Sequence, residues 1–243
     1  MMKLTKKKLL VAFESLIALV LLGSALYLSD SYSADRDAIT AFQTNQTIAK
    51  QVLSDKIIAY VPENAQHAMI FYPGGKVDPS AYEPLLWSLS EHQIAAFIVE
   101  MPFNLAVLNM NAADGIQDDY PDIEHWYMAG HSLGGTIAAS YLSQHVDDYE
   151  GLILLASYAI DDLSQTSLNV LSITGSEDHV LNRQKAQENK INLPESVNEV
   201  IIKGGNHAQF GMYGPQSGDG QATITPAEQI ELTVEHILNH IQK

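Results

Sequence analysis

The sequence contains no cysteine, which excludes disulfides, zinc-thiolate sites, a thiol nucleophile and an acylated cysteine anchor. It is also poor in positive charge: 13 Lys and Arg stand against 29 Asp and Glu, a formal net charge of -16. A surface of that sign repels phosphate backbones and anionic lipid headgroups, which argues against nucleic acid as a partner. Charged residues make up only 17% and aromatics 8%, while 46% of the 243 residues are hydrophobic. That composition supports one substantial core and one domain of catalytic size. There is no internal repeat.

The positive charge that exists is unevenly placed. Lys3, Lys6, Lys7 and Lys8 precede the apolar run Leu9 to Leu28, in which Glu14 is the only charged residue. As a helix this run would span roughly 30 Å, the thickness of the bilayer hydrocarbon core. The charge flanks predict a cytoplasmic basic segment at 1–8, a transmembrane signal anchor at 9–28 and an extracytoplasmic remainder. A cleaved signal peptide ending at Gly23 to Ala25 is the alternative, and secretion would follow from it. Residues 29–52 are polar and read as a stalk or short helix, leaving 53–243 as the folded domain.

Within that domain short apolar runs alternate with amphipathic ones. Strands are expected at "KIIAYVPE" from Lys56, "HAMIFYP" from His67, "IAAFIVEMP" from Ile94 and "HWYMAG" from His125. "GLILLAS" from Gly151, "NVLSITG" from Asn169 and "NEVIIKGG" from Asn198 complete the set. These runs are apolar on both faces, as parallel strands covered on each side must be. Helical patterns begin at Pro79 and Gly135, and a third opens on a capping box of Thr225 and Glu228 with Pro226 at its first helical position. The alternation implies an α/β domain, doubly wound around a mostly parallel sheet.

One motif carries chemistry. "MAGHSLGG", Met128 to Gly135, places Ser132 between Gly130 and Gly134. A Gly-x-Ser-x-Gly pattern alone is common, but here a strand runs into it and a helix leaves it. That context makes a nucleophile elbow, in which the elbow glycines Gly130 and Gly134 avoid collisions across the tight turn and the hydroxyl is lifted to the sheet edge.

"GHSLGG" resembles the nucleophile elbow of the α/β-hydrolase superfamily. In that superfamily an acid and a histidine follow the serine in order, each after a strand. Here Asp178 lies in the turn after "VLSITG", and His207 lies in the loop after "NEVIIKGG". The resemblance implies a triad of Ser132, Asp178 and His207, because a serine hydroxyl needs a base, and the base needs a carboxylate to fix its tautomer. It further implies an oxyanion hole from backbone N–H groups of the "PGGK" loop, Gly74, Gly75 and Lys76, together with Leu133. "GGNHAQFGMYG" is similar to a fold-5-like group of small bacterial serine hydrolases, membrane-anchored forms among them. Between the Gly151 and Asn169 strands only Tyr158 to Leu168 intervene, too few for a helical lid, so an open site is expected.

Other residues are weighed beside these. Glu177, Asp161 or Asp162 are alternative carboxylates, and His131 and His179 are read as neighbours. The acidic stretch Asp114 to Glu124 reads as a solvated loop, its spacing too irregular for a metal. Asn206, Gln209 and Tyr213 are expected to shape the pocket or hold the histidine loop, and Phe103, Leu105 and Met110 to shape an acyl pocket. Asn45 heads a short glycosylation-like pattern. The expected function is hydrolysis of a small-molecule or surface-displayed carboxylic ester without metal or organic cofactor. The alternatives are a thioesterase or acyltransferase with the same triad, and a non-catalytic binding module on a hydrolase fold.

Overall fold

A computed structural model describes residues 13–20, 22–23, 30–42, 50–54 and 56–241. Residues 1–31 and 32–243 form separate compact units. In the first, helix is described over 13–20 and 22–23. Among the described residues no helix is long and apolar enough to cross a membrane. This corrects the expected single-pass anchor at 9–28, and the extracytoplasmic placement and membrane partner that rested on it fall with it. The basic segment 1–8, the small residues Ser24 and Ala25, and Asn45 lie outside the described residues.

The second unit is built on one eight-stranded sheet in the order β1-β2-β4-β3-β5-β6-β7-β8. β1 (Lys50–Ser54) pairs antiparallel with β2 (Ile57–Tyr60), and β2 pairs antiparallel with β4 (Ile94–Val99). β3 (His67–Tyr72), β4, β5 (His125–His131), β6 (Gly151–Leu155), β7 (Asn169–Gly175) and β8 (Asn198–Ile202) run parallel. The sheet is therefore mixed, with its antiparallel pairs at one edge. The seven apolar runs of the sequence correspond to β2 through β8.

Period-two alternation divides the core between the two faces of the sheet. Met69 and Phe71 of β3 join one cluster, which also takes Leu85, Leu86 and Leu89 of α2 (Glu83–Ser90). The same cluster takes Ile39 of α1 (Arg36–Phe42) and Ile230, Val234, Ile237 and Ile241 of α5 (Pro226–Ile241). Ala68, Ile70 and Tyr72 face the other way, against Ala138, Ala139, Tyr141 and Leu142 of α3 (Leu133–Leu142). Each fully buried aliphatic side chain contributes about 1.5–3 kcal/mol, so both faces are firmly held. α4 (Arg183–Asn189) is capped by Asn182, whose side chain accepts Lys185 N–H at 2.9 Å. α5 starts as its capping box requires: Thr225 N–H donates to Glu228 Oε2 at 2.7 Å, and Glu228 N–H to Thr225 Oγ1 at 3.2 Å.

After β3 the chain moves to β4 on one side and returns to β5 on the other, so strand order reverses about β3. Ligands of open α/β sheets bind beyond the carboxyl ends of the strands at such a reversal. The parallel register sets Tyr72 beside Gly130. The "PGGK" loop and Ser132 therefore emerge next to one another.

Candidate active site

Ser132 stands between the end of β5 and the start of α3 with φ 51° and ψ -124°. A side chain in this left-handed region costs about 1–3 kcal/mol and persists only where its surroundings enforce it. Here they do: Ser132 N–H donates to Leu155 C=O at 2.9 Å, and Ser157 Oγ donates to Ser132 C=O at 2.7 Å. A Cβ at Gly130 would come within 2.6 Å of Gly134 C and Gly135 N, and one at Gly134 would overlap the carbonyls of Tyr72 and Pro73. The glycines of the motif are thus where backbone meets backbone.

His207 and Asp178 form a buried pair, with Nδ1 3.0 Å from Oδ2. The second carboxylate oxygen accepts Val180 N–H at 2.9 Å and Leu181 N–H at 2.8 Å. Burial pushes the Asp178 pKa up, but the His207 hydrogen bond and charge and the two backbone amides outweigh it, and the net shift is downward. An ionised Asp178 keeps the His207 proton on Nδ1, which leaves Nε2 as the basic atom. His207 Nε2 is buried and has no hydrogen-bond partner among the described residues.

The four expected oxyanion donors differ in what they already do. Gly74 N–H donates to Tyr82 Oη at 3.1 Å, and Lys76 N–H to Asn104 C=O at 2.7 Å. Gly75 N–H has no acceptor among the described residues. Leu133 is the first residue of α3, where helix geometry leaves the N–H without an intrahelical acceptor. The two lie together: a Cβ on Gly75 would sit 2.9 Å from Leu133 Cδ2.

Two supports were not legible in the sequence. Asp219 Oδ1 accepts His179 N–H at 3.2 Å, and its Oδ2 accepts an amide of the histidine loop. His131 is buried, with its ring centroid 4.5 Å from that of His207. A carboxylate aimed at backbone amides has no sequence signature, and the histidine beside the serine reads as a bystander until its ring contacts are known.

Residues 68–231 match the family model described as "Alpha/beta hydrolase family". The chain belongs to that family. No curated protein matches in sequence. Among solved structures, this α/β hydrolase is similar in fold to the carboxylesterase CesB (YbfK) from Bacillus subtilis, with TM-score 0.57 and 14% identity over 84% of this chain and 95% of that one. Est1E from Butyrivibrio proteoclasticus gives 0.57 and 16% over 81% and 99%. A monoacylglycerol lipase from Paleococcus ferrophilus gives 0.58 and 13% over 77% and 100%.

The remaining expected residues of this α/β hydrolase take up other contacts. Glu177 accepts Ser176 Oγ at 2.8 Å, and Asp162 accepts Ser164 N–H at 2.9 Å in an exposed turn. Asn206 Oδ1 accepts Gln209 N–H at 3.0 Å, and its Nδ2 donates to Gly220 C=O at 2.9 Å, which shapes the histidine loop. Asp114 accepts Tyr141 Oη at 3.0 Å. Among the described residues no group of three or more His, Asp or Glu is placed to hold a metal ion. Leu105 flanks Gly75, Tyr72 Oη donates to Met110 C=O at 2.6 Å, and Phe103 is exposed at φ 53°. The connection from β6 to β7 contains no helix.

Proposed function

We propose that this chain is a serine hydrolase that cleaves carboxylic esters through an acyl-enzyme on Ser132. The observation that carries the reading is the buried His207–Asp178 pair, 3.0 Å apart, beyond the same strand ends as a serine held at φ 51°. In this reaction His207 Nε2 takes the proton from Ser132 Oγ as the oxygen attacks the ester carbonyl carbon. The carbonyl oxygen becomes an oxyanion, and Gly75 N–H and Leu133 N–H donate to it. As the carbonyl re-forms, the bond to the alcohol oxygen breaks and His207 returns the proton to that oxygen. Water then repeats the sequence on the acyl-enzyme, giving the acid and free Ser132. Asp178 stabilises the imidazolium in both halves. Gly74 and Lys76, whose amides are occupied, shape the loop that presents Gly75.

The α/β-hydrolase family membership and fold-level likeness to esterases and a lipase support the reaction class. A β6–β7 connection without a helical lid favours esters with good leaving groups. Turnover of p-nitrophenyl esters from acetate to octanoate, with Ser132→Ala as control, tests the reading. Ser132-dependent release of p-nitrophenol is expected, and equal turnover by the variant would overturn it.

A further inference from the structure

The reaction just described leaves His131 unused, although it is among the most enclosed polar residues of the molecule at 1% exposure. Its Nδ1 lies 2.8 Å from Tyr82 Oη. That oxygen also accepts Gly74 N–H at 3.1 Å, so the phenol's single proton is directed to His131 Nδ1. Burial raises the Tyr82 pKa, and the phenol keeps this proton. A neutral imidazole whose Nδ1 accepts must carry its own proton on Nε2. Burial first, and then the charge of His207, push the His131 pKa well below the ordinary histidine value, and the ring stays neutral. Nε2 is buried without a hydrogen-bond partner among the described residues, and the ring packs on that of His207 with centroids 4.5 Å apart.

The packing leaves no slack along this line. A Cβ at Gly74 would come within 2.7 Å of both His131 Nδ1 and Tyr82 Oη. Phe210, three residues after His207, closes the other side with its ring centroid 5.7 Å from that of His131.

We propose that His131 is a positioning residue for the hydrolysis, the middle of a chain from Gly74 N–H through Tyr82 Oη and the His131 ring to His207. The chain sets the spacing between the oxyanion loop and the general base, two parts that reach the site from β3 and β8 and share no strand pairing. It rests on the reading of Ser132 and His207 as nucleophile and base. Productive geometry tolerates about 0.5 Å of error, so loosening either end lowers the rate of the chemical step more than substrate binding.

Steady-state hydrolysis of p-nitrophenyl acetate by Tyr82→Phe, His131→Asn and His131→Gln tests this. Tyr82→Phe removes the hydroxyl that serves both Gly74 and His131. The Asn amide reaches only the Nδ1 position, whereas the longer Gln side chain also fills the Nε2 end, against the His207 ring. Tyr82→Phe and His131→Asn are expected to lose about tenfold or more in kcat with KM within about twofold, and His131→Gln to stay within about threefold of the parent. Equal kcat in Asn and Gln variants, or losses confined to KM, would overturn the proposal. If the His131 variants do not fold, Tyr82→Phe decides by itself, since a parent-like kcat there removes the link to Gly74. Full activity in Ser132→Ala would instead sink the underlying triad.

Discussion

Asp219 Oδ2 accepts the backbone N–H of Ala208 at 2.9 Å. Its other oxygen takes the N–H of His179 and of Gly220. Ala208 follows His207 and His179 follows Asp178, so one carboxylate is bonded to both turns that carry the buried pair. Leaving such amides without acceptors costs about 1–3 kcal/mol each. Asp219→Ala is expected to lose that order of stability and about tenfold or more in kcat, and Asp219→Asn, which keeps one carbonyl acceptor, to fall between. Urea unfolding and ester kinetics on the same preparations check both.

Asp178→Asn preserves the shape of the pair and removes its charge. The amide can donate to Nδ1, which moves the His207 proton to Nε2 and blocks its use as a base. A loss of about 10⁴ in kcat is the expected scale for this change in a Ser-His-Asp arrangement. Labelling of Ser132 by a fluorophosphonate should slow in parallel. Rapid labelling in the variant would show that Asp178 does not set the tautomer.

His131 makes stability depend on pH. Its folded pKa lies well below the unfolded value near 6.5, so the unfolded chain binds a proton that the folded chain refuses. The contribution is fully present above about pH 6.5 and declines as pH falls, by about 1.4 kcal/mol per pH unit while the folded ring stays neutral. Urea midpoints between pH 7 and 5 should fall less steeply in His131→Gln than in the parent. Superimposable slopes would mean that His131 does not contribute.

Gly130→Ala would place a methyl group 2.6 Å from the α3 backbone, where no flexible side chain can yield. A loss of about 3 kcal/mol or more is expected, since backbone on backbone cannot repack locally. Circular dichroism melts of the variant beside Ser132→Ala, which touches no such contact, separate damage to the fold from loss of the hydroxyl.

Most of the sheet could be read from hydrophobic periodicity, because strands buried on both faces are written as continuous apolar runs such as "GLILLA". β1 escaped that reading: "KQVLS" is a short edge strand with Val52 67% exposed, so neither face demands apolar residues. The apolar run 9–28 misled because hydropathy measures suitability for a bilayer, whereas among the described residues no helix is long and apolar enough to cross one. Asp178 and His207 were expected together from their order along the chain, and in the structure they are hydrogen-bonded to one another. Asp219 sits in "SGDG", which reads only as a turn, and its partners are amides that every sequence contains. Choosing Gly75 among three consecutive loop residues required knowing which amides were already engaged, information that resides in Tyr82 and Asn104.

β1 has a role that its position at the margin of the sheet conceals. Glu83, at the start of α2, is 4% exposed and meets Lys50 Nζ and Tyr60 Oη, each at 2.7 Å. Lys50 brings the cation for a carboxylate that would otherwise be buried against a single phenol. A truncation that begins after Ser54 would therefore strand a negative charge inside the domain as well as take Ile39 out of the core. In this molecule the edge strand serves as a counterion carrier, and where the fold can be cut is set by charge as much as by hydrogen bonding.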